Sequence, residues 1–191
     1  MAKAEQPVLF FTTPADLEAW LDEHGEESDG IWLKFAKKGS GIESVVYAEA
    51  LDVVLCHGWI DGQTKRIDDD HYLQRFTPRR LSSKWSKRNR GKAEQLIAEG
   101  RMRPRGLREV ERAREDGRWD DAYDSPSTAV VPEDFQRALE ARPEALAFFE
   151  GLGSTKRYSF LYRVTDAKRP ETRAQRIAEY VELLARGETL H

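Results

Sequence analysis

The stretch "TPRRLSSKWSKRN", residues 77–89, gathers the residue types that grip an anion. Arg79, Arg80 and Lys84 supply cations, and an arginine holds a carboxylate or phosphate through two parallel hydrogen bonds. A helix capped by Ser82 or Ser83 would add free backbone amides at its positive end. Trp85 offers a flat face for stacking, and Asn89 an amide one turn further on. Lys65 and Arg75, on the strands just upstream, join the set if those strands present the same face. The competing reading puts Trp85 in the core and leaves the cations as a solvated helix face.

A second cluster lies in "DAKRPETRAQR", where Lys168, Arg169, Arg173 and Arg176 surround the start of the last helix. It either docks that helix on an acidic surface or lines the far wall of the same pocket. Asp61, in "CHGWIDG", is the one acid/base candidate, placed to pair with Lys65 or a cation from the next segment. Cys56 and His57 are adjacent, so on a helix they diverge and do not form a catalytic pair. They also sit at a helix C-terminus, where the dipole disfavours a thiolate. Cys56 therefore reads as a buried structural thiol. "DDDH", residues 68–71, lacks the alternate oxygen ligands and closing glutamate of a calcium loop and reads as a solvated hairpin tip. "AKKGSG" has the wrong glycine spacing for a phosphate loop. No metal and no cofactor are expected.

Sheet and helices must position these groups. Thr13, Pro14 and Asp16 spell a capped helix start, followed by Leu17, Trp20 and Leu21 on one face. Residues 31–37 alternate as a strand, with Ile31, Leu33 and Phe35 on one side and Trp32 and Lys34 on the other. "VYAEALDVVLCHG" is a buried helix stopped by Gly58. Two alternating runs, 59–67 and 71–77, form a hairpin, and Gly62 marks a bulge within it. Helices follow: one from Ser82 or Ser83 to Gly100, one from Pro104, two split by Pro143 and two split near Pro170. In the last, Ile177, Tyr180, Val181 and Leu184 make a single apolar stripe. The Ser- and Pro-rich "YDSPSTAVVP" is the boundary candidate. The expected fold is α+β: a small antiparallel sheet of about three strands with packed helices, then an all-helical C-terminal region. The expected domains are 1–122 and 130–191, the second packed on the first.

The totals narrow the function. Five Trp and eight Phe in 191 residues suffice for a core. A net charge of −3 is not the bulk signature of a nucleic-acid or membrane binder. Charge is nevertheless segregated: residues 1–30 set Lys3 against eight acids, while 75–118 run basic. The single cysteine precludes an intramolecular disulfide. The opening "MAKAEQPVLFFTTP" does not look like a signal peptide, and no apolar run reaches 18 residues, so a cytoplasmic protein without a membrane span is expected. His24, His71 and His191 are isolated.

Several segments in order, "GIWLKFAKKGSG", "YAEALDVVLCHGWIDGQTKRIDDDHYLQRFTPRR", "SKWSKRN", "LIAEGRM" and "AKRPETRAQRI", resemble the YdeI/OmpD-associated proteins, also called a bacteriocin-protection family. The resemblance runs from about Phe11 to about Gly187, and residues 130–190 look like the OmdA-type helical region. It implies a role in protecting bacteria from bacteriocins or envelope stress and assigns no reaction. Where that family pattern would place an aromatic, this chain has His57, which speaks against a required catalytic histidine. The leading expectation is a stress or bacteriocin-protection protein that binds a small anionic ligand or an acidic protein segment. An enzyme using Asp61 on a phosphorylated or carboxylated molecule is the second reading. A weak nucleic-acid binder is the least favoured.

Overall fold

A computed structural model describes residues 5–190; Lys3 and His191 lie outside them. The chain folds into two units, one of residues 5–85 and 89–122, the other of residues 86–88 and 123–190. The architecture is α+β with C-terminal helices.

The first unit is built on a four-stranded sheet of order β1-β2-β4-β3, where β1 is Val8–Leu9, β2 Ile31–Ala36, β3 Trp59–Arg66 and β4 His71–Pro78. Three of these are the expected antiparallel strands. The fourth, β1, pairs parallel to β2 over only two residues, too short for alternation to announce it. Pairing sorts the side chains into two faces. Ile31, Leu33 and Phe35 stand opposite Phe76, Gln74 and Tyr72 and face the core. Trp32, Lys34 and Ala36 stand opposite Arg75, Leu73 and His71 on the outer face.

Helix α1, Pro14–His24, begins in the expected capping box: the Asp16 amide donates to the Thr13 hydroxyl and the Thr13 amide donates to the Asp16 carboxylate, both at 3.2 Å. The Thr13 hydroxyl also holds the Asp16 carboxyl below its ordinary pKa. Helix α2, Tyr47–Cys56, buries Ala50, Leu51 and Val53 through Cys56. Gly58, at φ +72°, turns the chain from α2 into β3, and a β-carbon there would come within 3.1 Å of the Arg105 carbonyl. Two more helices follow, α3 over Lys87–Ala98, which belongs to this unit from Asn89 onward, and α4 over Pro104–Glu115. Gly106 in α4 packs so closely on α2 that a β-carbon would stand 2.2 Å from the Cys56 carbonyl oxygen.

Helix α3 starts later than the serines predict. Ser83 is spent in a local turn: its hydroxyl accepts from the Arg80 amide and its own amide donates to the Arg80 carbonyl, each at 2.9 Å. Trp85 then enters the core, edge-on to Trp119 at 4.8 Å, and the helix begins at Lys87. The helix N-terminus that would have offered amides to an anion at Ser82 or Ser83 is therefore absent.

The second unit is helical: α5 Glu133–Glu140, α6 Pro143–Gly151, α7 Ser154–Asp166 and α8 Pro170–Ala185. Its core is a chain of aromatic edges, Phe135 to Phe149, Phe149 to Phe160 and Phe160 to Tyr180, with centroids 5.4–6.4 Å apart. The whole stripe of Ile177, Tyr180, Val181 and Leu184 is buried there.

Candidate functional site

Strand register decides which cations can act together. β3 and β4 pair as Asp61 with Phe76 and then as Thr64 with Gln74, so β3 carries one extra residue between them. This bulge, at the position Gly62 marks, reverses the parity of the strand. Asp61 and Thr64 face the core, and Lys65 falls opposite Leu73 on the outer face. The expected pairing of Asp61 with Lys65 is thereby excluded: they stand on opposite sides of the sheet. Asp61 instead accepts hydrogen bonds from the Tyr47 hydroxyl at 2.9 Å and the Asn89 amide at 3.2 Å.

Lys65 and Arg75 do share a face, as Lys65 pairs with Leu73 and Arg75 with Trp32. One row across the sheet reads Lys34, Leu73, Lys65, and the next sets Val8 and Trp32 beside Arg75. Lys34 and Lys65 make no ion pair among the described residues, and Arg75 donates from Nε to the Gln6 side-chain oxygen at 2.7 Å. No carboxylate occupies a strand position on this face. The result is a patch with three cations, a half-buried tryptophan and two alkyl stems flanking Leu73.

The other residues of 77–89 separate into buried and exposed sets. Arg79 is only 6% exposed, lies 3.4 Å from the Trp85 ring centroid and donates to the Lys84 carbonyl at 3.2 Å. Arg79, Trp85 and Asn89 are thus interior groups, while Arg80 and Lys84 point to solvent. The second basic cluster belongs to the second unit. There Arg173 grips Asp134 through Nε at 2.5 Å and Nη2 at 2.8 Å and also donates to the Val164 carbonyl. That guanidinium holds the Asp134 carboxyl below its ordinary pKa. Arg176 donates to the Arg163 carbonyl at 2.5 Å, and Lys168 and Arg169 are exposed. Beside Arg173 runs an open groove of about 600 Å³ along α5 and α8, walled by Ala138, Ala141, Ala174, Ile177 and Val181.

A third constellation escaped the sequence reading. A cleft of about 330 Å³ in the first unit is lined by Asp22, His57, Trp59, Arg103, Arg105 and Arg108, among others. His57 Nδ1 lies 2.9 Å from the Val53 carbonyl and Nε2 lies 3.0 Å from Asp22 Oδ1. Arg103 Nη2 reaches Glu18 at 3.0 Å and Asp22 Oδ2 at 3.3 Å. Arg105 donates to the Gly25 carbonyl. Next to His57, burial pushes the Cys56 thiol up to about 11, which removes it as a nucleophile near neutrality. Among the described residues no group of three His, Cys, Asp or Glu could hold a metal ion, and no helix is long and apolar enough to cross a membrane.

Comparison with known proteins assigns both parts of the chain. Residues 9–109, more than half of it, match the model of a domain of unknown function (DUF8412). Residues 128–187 match the model described as "Bacteriocin-protection, YdeI or OmpD-Associated" (OmdA). No curated protein and no solved structure matches. The N-terminal match covers the sheet and the helices that form the cleft, and the C-terminal match covers α5 to α8. The chain belongs to the DUF8412 family, and its terminal helices are similar to the YdeI/OmpD-associated (OmdA) proteins.

Proposed function

We propose that the chain is a cytoplasmic binding protein of bacteriocin or stress protection whose outer sheet face takes an acidic protein segment. One observation carries this reading: Lys34, Lys65 and Arg75 share a face that has no strand carboxylate. An exposed ion pair contributes only about 0.2–1 kcal/mol, so three together supply roughly 1–3 kcal/mol. Contact with Trp32 and Leu73 must provide the rest. The interaction is therefore weak, salt-sensitive and selective for an acidic segment with an apolar or aromatic residue within it.

The test is fluorescence polarisation with a labelled ten-residue glutamate peptide carrying one central tryptophan. The wild type should bind it, with affinity falling steeply between 0.01 and 0.15 M salt, where screening shortens from about 30 to 8 Å. Lys34→Glu/Lys65→Glu should abolish binding without changing the circular dichroism spectrum. Unchanged affinity in that variant would refute the reading. A labelled oligothymidylate that binds in place of the peptide, with a log–log salt slope near −2 for three phosphate contacts, would replace the acidic segment by a nucleic acid.

A further inference from the structure

We propose that the cleft between α1, the end of α2 and the first turn of α4 is a separate binding site for a small molecule bearing a carboxylate or phosphate group. Its volume, about 330 Å³, is at the small end of ligand pockets. The size suits a compact ligand rather than a protein segment.

Charge selects the ligand class. The Asp22 carboxylate is already answered on both oxygens, by His57 on Oδ1 and by Arg103 on Oδ2. Glu18 further satisfies Arg103. The unspent positive charge is on Arg105 and Arg108, three residues apart on one face of α4. Arg105 uses one nitrogen on the Gly25 carbonyl and keeps its other donors. Arg108 makes no hydrogen bond or ion pair among the described residues, so its whole fork is available at the rim. Glu26 also lines the cleft but is exposed, and it takes neither arginine.

The helix adds to this field. Pro104 occupies the first position of α4 and lines the cleft with Arg105, so the positive end of a twelve-residue helix lies at the site. Leu21, Trp59 and Pro104 give an apolar wall for the body of the ligand. Trp59 carries an independent sign of an unmet partner: it is fully buried, and its indole N–H makes no hydrogen bond. A buried donor without an acceptor is costly, and this one belongs to a residue that lines the cleft. The free guanidinium of Arg108, the remaining donors of Arg105, a helix N-terminus and an apolar wall fit an oxyanion on a small apolar body, such as an aryl carboxylate or an aryl phosphate. They do not fit a cation, because both oxygens of Asp22 are already engaged.

The experiment is a ¹⁵N NMR titration of the full chain with benzoate and, separately, with phenyl phosphate, following the Trp59 indole and the arginine Nε resonances. At least one probe should shift the Trp59 signal saturably, and which one does so distinguishes carboxylate from phosphate. Arg108→Ala should weaken binding roughly tenfold or more, the loss expected for a charge-assisted hydrogen bond. Arg108 is exposed and unpaired, so its removal leaves the fold intact. The absence of a saturable shift with both probes, or equal affinity in Arg108→Ala, would overturn the site. Arg108→Ala should not alter binding of the acidic peptide, and Lys34→Glu/Lys65→Glu should not alter binding of the small probes, so the two sites fail independently.

Discussion

Cys56 gives the sharpest stability prediction, because its environment fixes both sign and size. The thiol is 3% exposed at the end of α2, and burial raises it from 9.0 to about 11. A raised acid stays protonated in the folded chain while the unfolded chain already ionises. Between pH 9 and 11 the unfolded state therefore binds fewer protons, and stability falls as pH rises. Two pH units at 1.36 kcal/mol each give a loss of about 3 kcal/mol, complete near pH 11. Cys56→Ala removes this term but trims a small buried side chain, at a cost of about 1 kcal/mol. The variant should be less stable than the wild type at pH 7 and more stable by about 2 kcal/mol at pH 11. Urea unfolding at pH 7, 9, 10 and 11 measures the crossing. Tyr158, in the second unit, is raised from 10.0 to about 12 by burial and contributes its own decline at higher pH; Tyr158→Phe isolates it. If the wild-type and Cys56→Ala curves run parallel from pH 7 to 11, the thiol is not desolvated as described and the argument against a reactive Cys56 falls with it.

Two further variants probe the frame around the sites. Arg79→Ala should lower stability by about 2 kcal/mol, since a desolvated cation–π contact with Trp85 and the bond to the Lys84 carbonyl are lost, as thermal unfolding would record. It should leave binding of the acidic peptide per folded molecule unchanged, and a selective loss of affinity would restore Arg79 to the site. Gly106→Ala should cost several kcal/mol, because its β-carbon would overlap the Cys56 carbonyl at 2.2 Å and force α4 away from α2. The same shift should weaken both small probes, as Arg105 and Arg108 travel with α4.

How far the sequence carries depends on the range of the signal. The capping box of α1, the alternation of β2 and the apolar stripe of α8 are local patterns, and each appears where its residues place it. Two adjacent residues cannot display a period, so β1 had no signature. The start of α3 was misplaced because Ser83 suits an N-cap and a tight turn equally well by composition. The burial of Trp85 against Trp119, 34 positions away, decided for the turn. The bulge was legible in Gly62, but its effect on parity follows only once both strands are paired. That effect separates Asp61 from Lys65. The cleft was the least accessible feature, with lining residues that run from Leu21 to Arg108 on four elements. Its arginines belong to a helix that carries no motif to set them apart. The one signal that could have raised it was His57 itself, a polar ring directly after a buried helix.

His57 also bears on what the cleft can bind. An aromatic ring at position 57 would fill the same space and pack against α1, but it could not satisfy Asp22. His57 makes the joint between α1 and the end of α2 one that holds a carboxylate in place. Asp22 in turn orients Arg103, which bridges it to Glu18 on the same helix. Glu18 and Asp22 are thereby held by His57 and Arg103 and make no contact with Arg105 or Arg108. Had Asp22 been left unanswered, its charge would have competed for those guanidinium groups and cancelled the field at the α4 N-terminus. The histidine therefore needs no catalytic role to matter: by occupying one acid it leaves Arg108 and the remaining donors of Arg105 unopposed.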